Sequence, residues 1–181
     1  MQITAGAAAA FVIAGCSSHK KVARLPVTYP GGPVFGGKID AGSLDHILAS
    51  IDAKHAPYYI PEARAYISRF PTNDVAAAKA HYPAAVQSAL DAGVIVLYQR
   101  CTHLGCRVPF CDSSQWFECP CHAAYFDRVG EHRAGPAPRG LDLMAANVES
   151  GHLVIDSATI VHGLPDGTDT THQELSGPHC T

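Results

Sequence analysis

The chain has 181 residues, a formal net charge of −3, 47% hydrophobic and 16% charged residues, which allows one domain with appendages and offers no basic stripe for a nucleic acid. Sixteen glycines and thirteen prolines argue against a helical bundle and for a loop-rich, β-rich architecture. Seven cysteines, at 16, 101, 106, 111, 119, 121 and 180, form an odd set in which one needs a separate fate, while eleven histidines assign nothing until spacing singles some out.

Residues 3–15 are apolar. As a helix they would span roughly 20 Å, short of the ~30 Å hydrocarbon core of a bilayer. They read as the apolar core of an export signal ending in Ile13-Ala14-Gly15-Cys16, similar to a lipoprotein processing box. Residues 1–16 are therefore expected to be an export signal or membrane-anchor remnant, with Cys16 the odd cysteine. Residues 25–42 are rich in proline and glycine and read as linker, so 17–57 is expected to be linker plus one short helix. That helix starts at a Ser43 cap, carries Leu44, Ile47, Leu48 and Ile51 on one face, and ends at Pro57. Tyr58 to Phe70 is strand-like. A second helix is expected from Asp74 to Ala92, with Asn73 as its cap and Gly93 just beyond. Val94 to Tyr98 is a buried strand leading into Cys101. Leu141 to Val148 and His152 to Ile155 form a hairpin through Ser150-Gly151. Residues 166–181 are a polar tail in which Cys180 alone suggests an attachment.

Two short loops carry the chemistry: Cys101-Thr-His103-Leu-Gly-Cys106 and, twelve residues later, Cys119-Pro-Cys121-His122. Two thiolates and two imidazoles also make a zinc set. Zinc fingers, however, place two cysteines before two histidines, whereas each loop here supplies one of each and leaves two cysteines over. Two irons account for the pattern better, with thiolates on one and imidazoles on the other. Neutral imidazoles in place of anionic thiolates favour reduction and raise the potential.

The pattern C-x-H-x2-C and C-x-C-H, followed by Gly135-Pro136-Ala137-Pro138, closely resembles the Rieske family over roughly residues 58–160. The resemblance implies a mainly β Rieske fold: an antiparallel β-sandwich base with a small cluster-binding subdomain, preceded by a helical and linker segment. The domain would cover 58–165, with its cluster-binding part at about 99–140. It implies one [2Fe-2S] cluster per chain, ligated by Cys101, His103, Cys119 and His122. Cys106 and Cys121 match the positions that form a disulfide between the loops in Rieske proteins of quinol-oxidising complexes. Soluble Rieske ferredoxins of cytosolic oxygenase systems lack this pair, as a reducing compartment requires. Gly135 to Pro138 resembles the family's proline loop, which places Pro136 beside the cluster. With those cysteines assigned, Cys111 and Cys180 remain and are expected to pair, pinning the tail near the first loop.

One departure from the family bears on the potential. The usual H-G-S-x-Y after the last ligand is His122-Ala123-Ala124-Tyr125-Phe126 here, so a serine and a tyrosine hydroxyl that bond cluster and ligand sulfurs are missing. Losing hydrogen bonds to sulfur lowers the potential, which matches menaquinol better than ubiquinol. Tyr125 is offset by one residue and should face the other way.

The function implied is electron transfer as the iron–sulfur subunit of a membrane quinol:cytochrome c reductase. His103 or His122 would meet the quinol, with Leu104 at the quinone contact. The partners would be cytochrome b and c-type cytochrome subunits in a dimeric complex, attached to the outer, periplasmic or extracytoplasmic, face of a prokaryotic membrane, with the linker letting the head move. The alternative is the Rieske small subunit of an exported molybdenum oxidoreductase such as arsenite oxidase, or a stand-alone exported carrier. Glu62, Arg64, Asp127 and Arg139 read as structural or rim residues.

Overall fold

A computed structural model describes residues 35–181, so the expected signal segment and Cys16 lie outside the described residues. The described chain is mainly β, and no helix in it is long and apolar enough to cross a membrane. The larger sheet is antiparallel. It comprises β1 (Lys38–Ser43), β2 (Tyr58–Ile60), β3 (Ala65–Arg69), β4 (Val94–Tyr98), β9 (Leu143–Glu149) and β10 (His152–Val161), in the order β1-β10-β9-β4-β3-β2. The smaller sheet, β5 (Phe110–Cys111), β6 (Trp116–Glu118), β7 (Tyr125–Phe126) and β8 (His132–Ala134), carries the loop after β6 and faces the loop after β4.

The strand β4 shows why the run Val94 to Tyr98 is apolar throughout. Successive side chains alternate faces, and both faces are covered. Ile95 and Leu97 enter the core shared with the smaller sheet, beside Phe117, Phe126 and Leu141. Val94 and Val96 enter a second core, with Ile47 and Ile51 of the helix α1 (Leu44–Lys54) and Ile155 of β10.

The start of α1 follows its sequence signal, because the Ser43 side chain accepts from the His46 N–H at 3.5 Å. The helix ends at left-handed His55, two residues before Pro57. The β9–β10 hairpin turns at Ser150-Gly151, and β10 continues past Ile155 to Val161 after an irregularity between Asp156 and Ile160.

Three expectations need correction. Residues 25–42 are not all linker: Lys38–Ser43 is an edge strand of the larger sheet, with Ile39 opposite Ile155 and buried. One inward apolar residue among glycines is too short a period-two signal to read. The helix expected over 74–92 is two, α2 (Val75–Ala78) and α3 (Ala84–Asp91), and its cap is Asp74, without a side-chain bond, rather than Asn73. Pro83 causes the break: it lacks an N–H, and it disfavours helical backbone at Tyr82. The tail, lastly, is fastened along its length. Arg133 donates to Asp169 at 2.7 Å, the Thr170 N–H to Glu131 at 2.9 Å, and Arg128 to Ser176 at 2.8 Å, while Ser113 donates to the Pro178 carbonyl at 2.7 Å.

Candidate metal centre

The two loops that leave β4 and β6 are closed in the same way. The Cys101 N–H donates to the Cys106 carbonyl at 2.8 Å, and the Gly105 N–H returns to the Cys101 carbonyl at 2.9 Å. In the second loop the Cys119 N–H donates to the Ala124 carbonyl at 2.9 Å, and the Ala123 N–H returns to the Cys119 carbonyl at 3.1 Å. Each reversal needs a left-handed residue four places after its cysteine. Gly105 supplies it at φ 81° and Ala123 at φ 51°.

These closures bring Cys101 and Cys119 together at the base of the loops, 4% and 2% exposed, with neither in a disulfide. His103 and His122 lie further out, half-buried and exposed respectively, with ring centroids 4.9 Å apart and planes at 83°. Leu104, which follows His103 in the first loop, is 70% exposed. Burial pushes the Cys101 thiol up, and the neighbouring Cys119 sulfur adds to this, while the His103 and Leu104 N–H groups pull it the other way. Binding of iron to such thiols releases their protons.

The structure joins Cys106 to Cys121, with Cα atoms 6.7 Å apart, and Cys111 to Cys180, with Cα atoms 5.8 Å apart. The first bond crosses between the loops and leaves Cys101 and Cys119 as the thiols free to bind metal among the described residues. The second holds the tail against β5.

A third segment packs on this pair. At Gly135, φ is +92° and an ideal Cβ would fall 2.2 Å from the Ala123 carbonyl oxygen, so the backbones of the proline segment and the second loop touch. Thr102 donates to the Arg139 carbonyl at 2.8 Å and ties the same segment to the first loop. Ala137 is buried there and Pro136 exposed. Arg139 is a structural residue, held by Asp142 through bonds of 3.0 Å.

The absent hydroxyls are visible in their context. Ala124 and Phe126 are fully buried at the second loop and the start of β7. Tyr125 turns to the opposite side, its ring stacked on His179 at 4.1 Å and its hydroxyl 3.4 Å from the Thr181 carbonyl. Asp127 just beyond is fully buried, accepting from the Val129 and Glu131 N–H groups at 3.0 and 2.9 Å and from Arg133. Burial pushes its carboxyl up to about 6 against the pull of Arg133. Arg64 lies over the Phe35 ring at 4.9 Å, and Glu62 is exposed. Sequence reasoning missed Glu118, Thr102 and Arg133. A glutamate in the apolar run Trp116-Phe117-Glu118-Cys119 was the one available signal.

The donor set suits a two-iron centre better than a single ion. Two buried thiols sit side by side, and two imidazoles meet edge to face nearer the solvent, one of each from either loop, as an iron pair with two sulfur and two nitrogen ligands requires.

A family model for the Rieske [2Fe-2S] domain matches residues 67–149. The cytochrome b6-f complex iron-sulfur subunit 1 of Nostoc sp. is 44% identical over 59 residues, 33% of this chain and 33% of that protein. The cytochrome b6-f complex iron-sulfur subunit of Trichodesmium erythraeum is 50% identical over 54 residues, 30% of each. The chain thus spans about a third of the length of the curated relatives it matches. A solved cyanobacterial plasma membrane Rieske protein from Synechocystis PCC 6803 aligns over 65% of this chain and 97% of its own, at 22% identity and a TM-score of 0.42, too loosely to add to this. Residues 67–149, with both loops and the proline segment inside them, match the Rieske [2Fe-2S] domain, and the cofactor that this domain holds is a [2Fe-2S] cluster.

Proposed function

We propose that the chain is the iron–sulfur subunit of a membrane quinol:cytochrome c reductase of the cytochrome bc or bf type, with Cys101 and Cys119 on one iron and His103 and His122 on the other. The bound cluster supplies one-electron chemistry at a potential tuned by its histidine-bound iron. The observation that carries this reading is the gradient across the loops: buried thiols at the base, an exposed His122 ring, and Leu104 at 70% exposure next to His103 in the chain. A quinol needs an imidazole nitrogen at the surface to accept its hydroxyl hydrogen and an apolar rim for its ring, which Leu104 and Pro136 provide. The thiols below stay out of water.

The Cys106–Cys121 and Cys111–Cys180 bonds support an oxidising compartment, and so the outer face of a prokaryotic membrane, with residues 1–16 as the attachment. Buried Ala124 and Phe126 leave the sulfurs without side-chain hydroxyls and support a low potential and menaquinol as donor. The relatives' place in cytochrome b6-f complexes supports cytochrome b and a c-type cytochrome as partners in a dimeric assembly, over a molybdenum subunit.

The test is purification of the chain from its native membranes under mild detergent. A cytochrome b should accompany it, and a menaquinol analogue should raise its Rieske electron paramagnetic resonance (EPR) signal. Copurification with a molybdenum subunit, and a cluster indifferent to quinol, would replace this reading with the molybdenum oxidoreductase.

A further inference from the structure

The tail converges on one carboxylate. Glu118 ends β6, immediately before Cys119, and is 0% exposed. Because side chains alternate along a strand, Phe117 enters the core between the sheets while Glu118 points away from it, beneath the tail. One carboxylate oxygen accepts from Ser114 Oγ at 2.7 Å and faces His179 Nδ1 at 2.7 Å. The other accepts from the N–H groups of Cys180 at 2.7 Å and Thr181 at 3.1 Å, and from Thr181 Oγ1 at 3.3 Å. Backbone N–H groups can only donate, and the remaining partners are able to, so the group is held as an anion. Cys111 and Cys180 each place a sulfur within 4.8 Å of a Glu118 oxygen.

The same tail residue holds the other end of the loop. The His179 ring stacks on Tyr125 at 4.1 Å, and Tyr125 is the cross-strand partner of Glu118 on β7. The tail therefore clips both strand ends between which residues 119–124 project. A buried carboxylate is costly where an apolar side chain would pack without penalty, and a tail alone could be fastened at less expense.

We propose that Glu118 and the tail that covers it are a positioning device for the second cluster loop, fixing both of its ends and setting a buried negative charge behind Cys119 that opposes reduction of the cluster. The inference rests on Cys119 and His122 as ligands and not on the identity of the electron donor. Reduction adds an electron near a fixed anion, and repulsion in a poorly solvated interior disfavours it. The tail donors spread that charge without removing it.

The test uses the holoprotein in four forms: wild type, Glu118→Gln, the double variant Cys111→Ser with Cys180→Ser, and Glu149→Gln. The last removes an exposed carboxylate on the far hairpin. Potentiometric titration followed by EPR should give Glu118→Gln a higher midpoint than wild type and leave Glu149→Gln unmoved. Amide exchange over residues 119–124 should quicken at least tenfold in the double serine variant, with residues 101–106 unchanged. That variant retains the charge and carries the positioning claim if Glu118→Gln does not fold. A Glu118→Gln midpoint equal to or below wild type overturns the electrostatic role, and unaltered exchange over 119–124 overturns the positioning role. A wild-type holoprotein lacking the Rieske EPR signal would instead remove the ligand assignment beneath both.

Discussion

Replacing Gly135 with alanine probes how the proline segment and the second loop make one site. An ideal Cβ at this position would lie 2.2 Å from the Ala123 oxygen, 2.7 Å from Ala124 Cα and 2.9 Å from the Ala123 carbonyl carbon. All three are backbone atoms, so no rotamer change relieves the overlap, and the two segments must separate. The φ of +92° adds a conformational penalty. Left-handed backbone costs an L residue about 1–2 kcal/mol and overpacking about 1–3 kcal/mol, so the loss is about 2–5 kcal/mol. At about 2–4 °C per kcal/mol for a chain of this size, Tm should fall by roughly 4–20 °C. Gly42→Ala is the matched control, since Gly42 has φ +100° and no atom within 4 Å of the added Cβ. It should bear the conformational penalty alone. The assay is thermal unfolding of the holoproteins by far-ultraviolet circular dichroism, with the visible spectrum reporting the cluster. A Gly135→Ala protein melting within about 2 °C of Gly42→Ala, with its cluster intact, would refute the idea that backbone contact builds the site.

Adding the missing hydroxyls by Ala124→Ser or Phe126→Tyr should raise the midpoint. A hydrogen bond favouring the reduced state by about 1 kcal/mol is worth roughly 40 mV for one electron, and redox titrations without a rise would contradict the low-potential argument. Arg133→Ala should destabilise the fold by about 3–5 kcal/mol, read as a lower denaturant midpoint, because it strands the buried carboxylates of Asp127 and Glu131. A loss typical of a surface substitution would show that the guanidinium does not compensate them. The hydrogen bond from Arg133, against a smaller opposing effect of burial, holds the Asp169 carboxyl down at about 2 from an ordinary 3.8. The folded value is the lower one, so its contribution is full above about pH 4 and is lost as pH falls towards 2. Solvent screening limits it to no more than about 1 kcal/mol. Protection of the His172 amide from exchange, relative to an unstructured amide at the same pH, should fall across that window because its N–H donates to Asp169 at 2.7 Å, and a flat protection profile would remove the claim.

What was legible in the sequence was what local chemistry determines. The run Val94 to Tyr98, the Ser43 cap and the Ser150-Gly151 turn each express a short-range requirement, and each maps onto an observed element, while the cysteines and histidines fall on two loops whose imidazoles meet. The α2–α3 break was available in principle, because Pro83 stands in the middle of an otherwise helical pattern. Other features were not local. β1 is a strand because β10, over a hundred residues away, offers an edge to Ile39. The tail is ordered because its small polar groups meet Glu118, Glu131 and Arg133, and polar pairing leaves no periodicity to detect. Glu118 itself looks like an interruption of an apolar run until the tail is laid over it.

The closeness of the sulfurs has a consequence for maturation. Cys119 keeps its sulfur within 4.8 Å of those of Cys106 and Cys121, near enough that an oxidant reaching a metal-free chain would find several pairings open to it. On the ligand assignment proposed above, iron at Cys119 would act as a protecting group, withholding that thiolate from exchange and leaving the remaining cysteines fewer pairings. On the same assignment, chain oxidised before it receives iron should hold more mispaired cysteine than chain loaded with iron first.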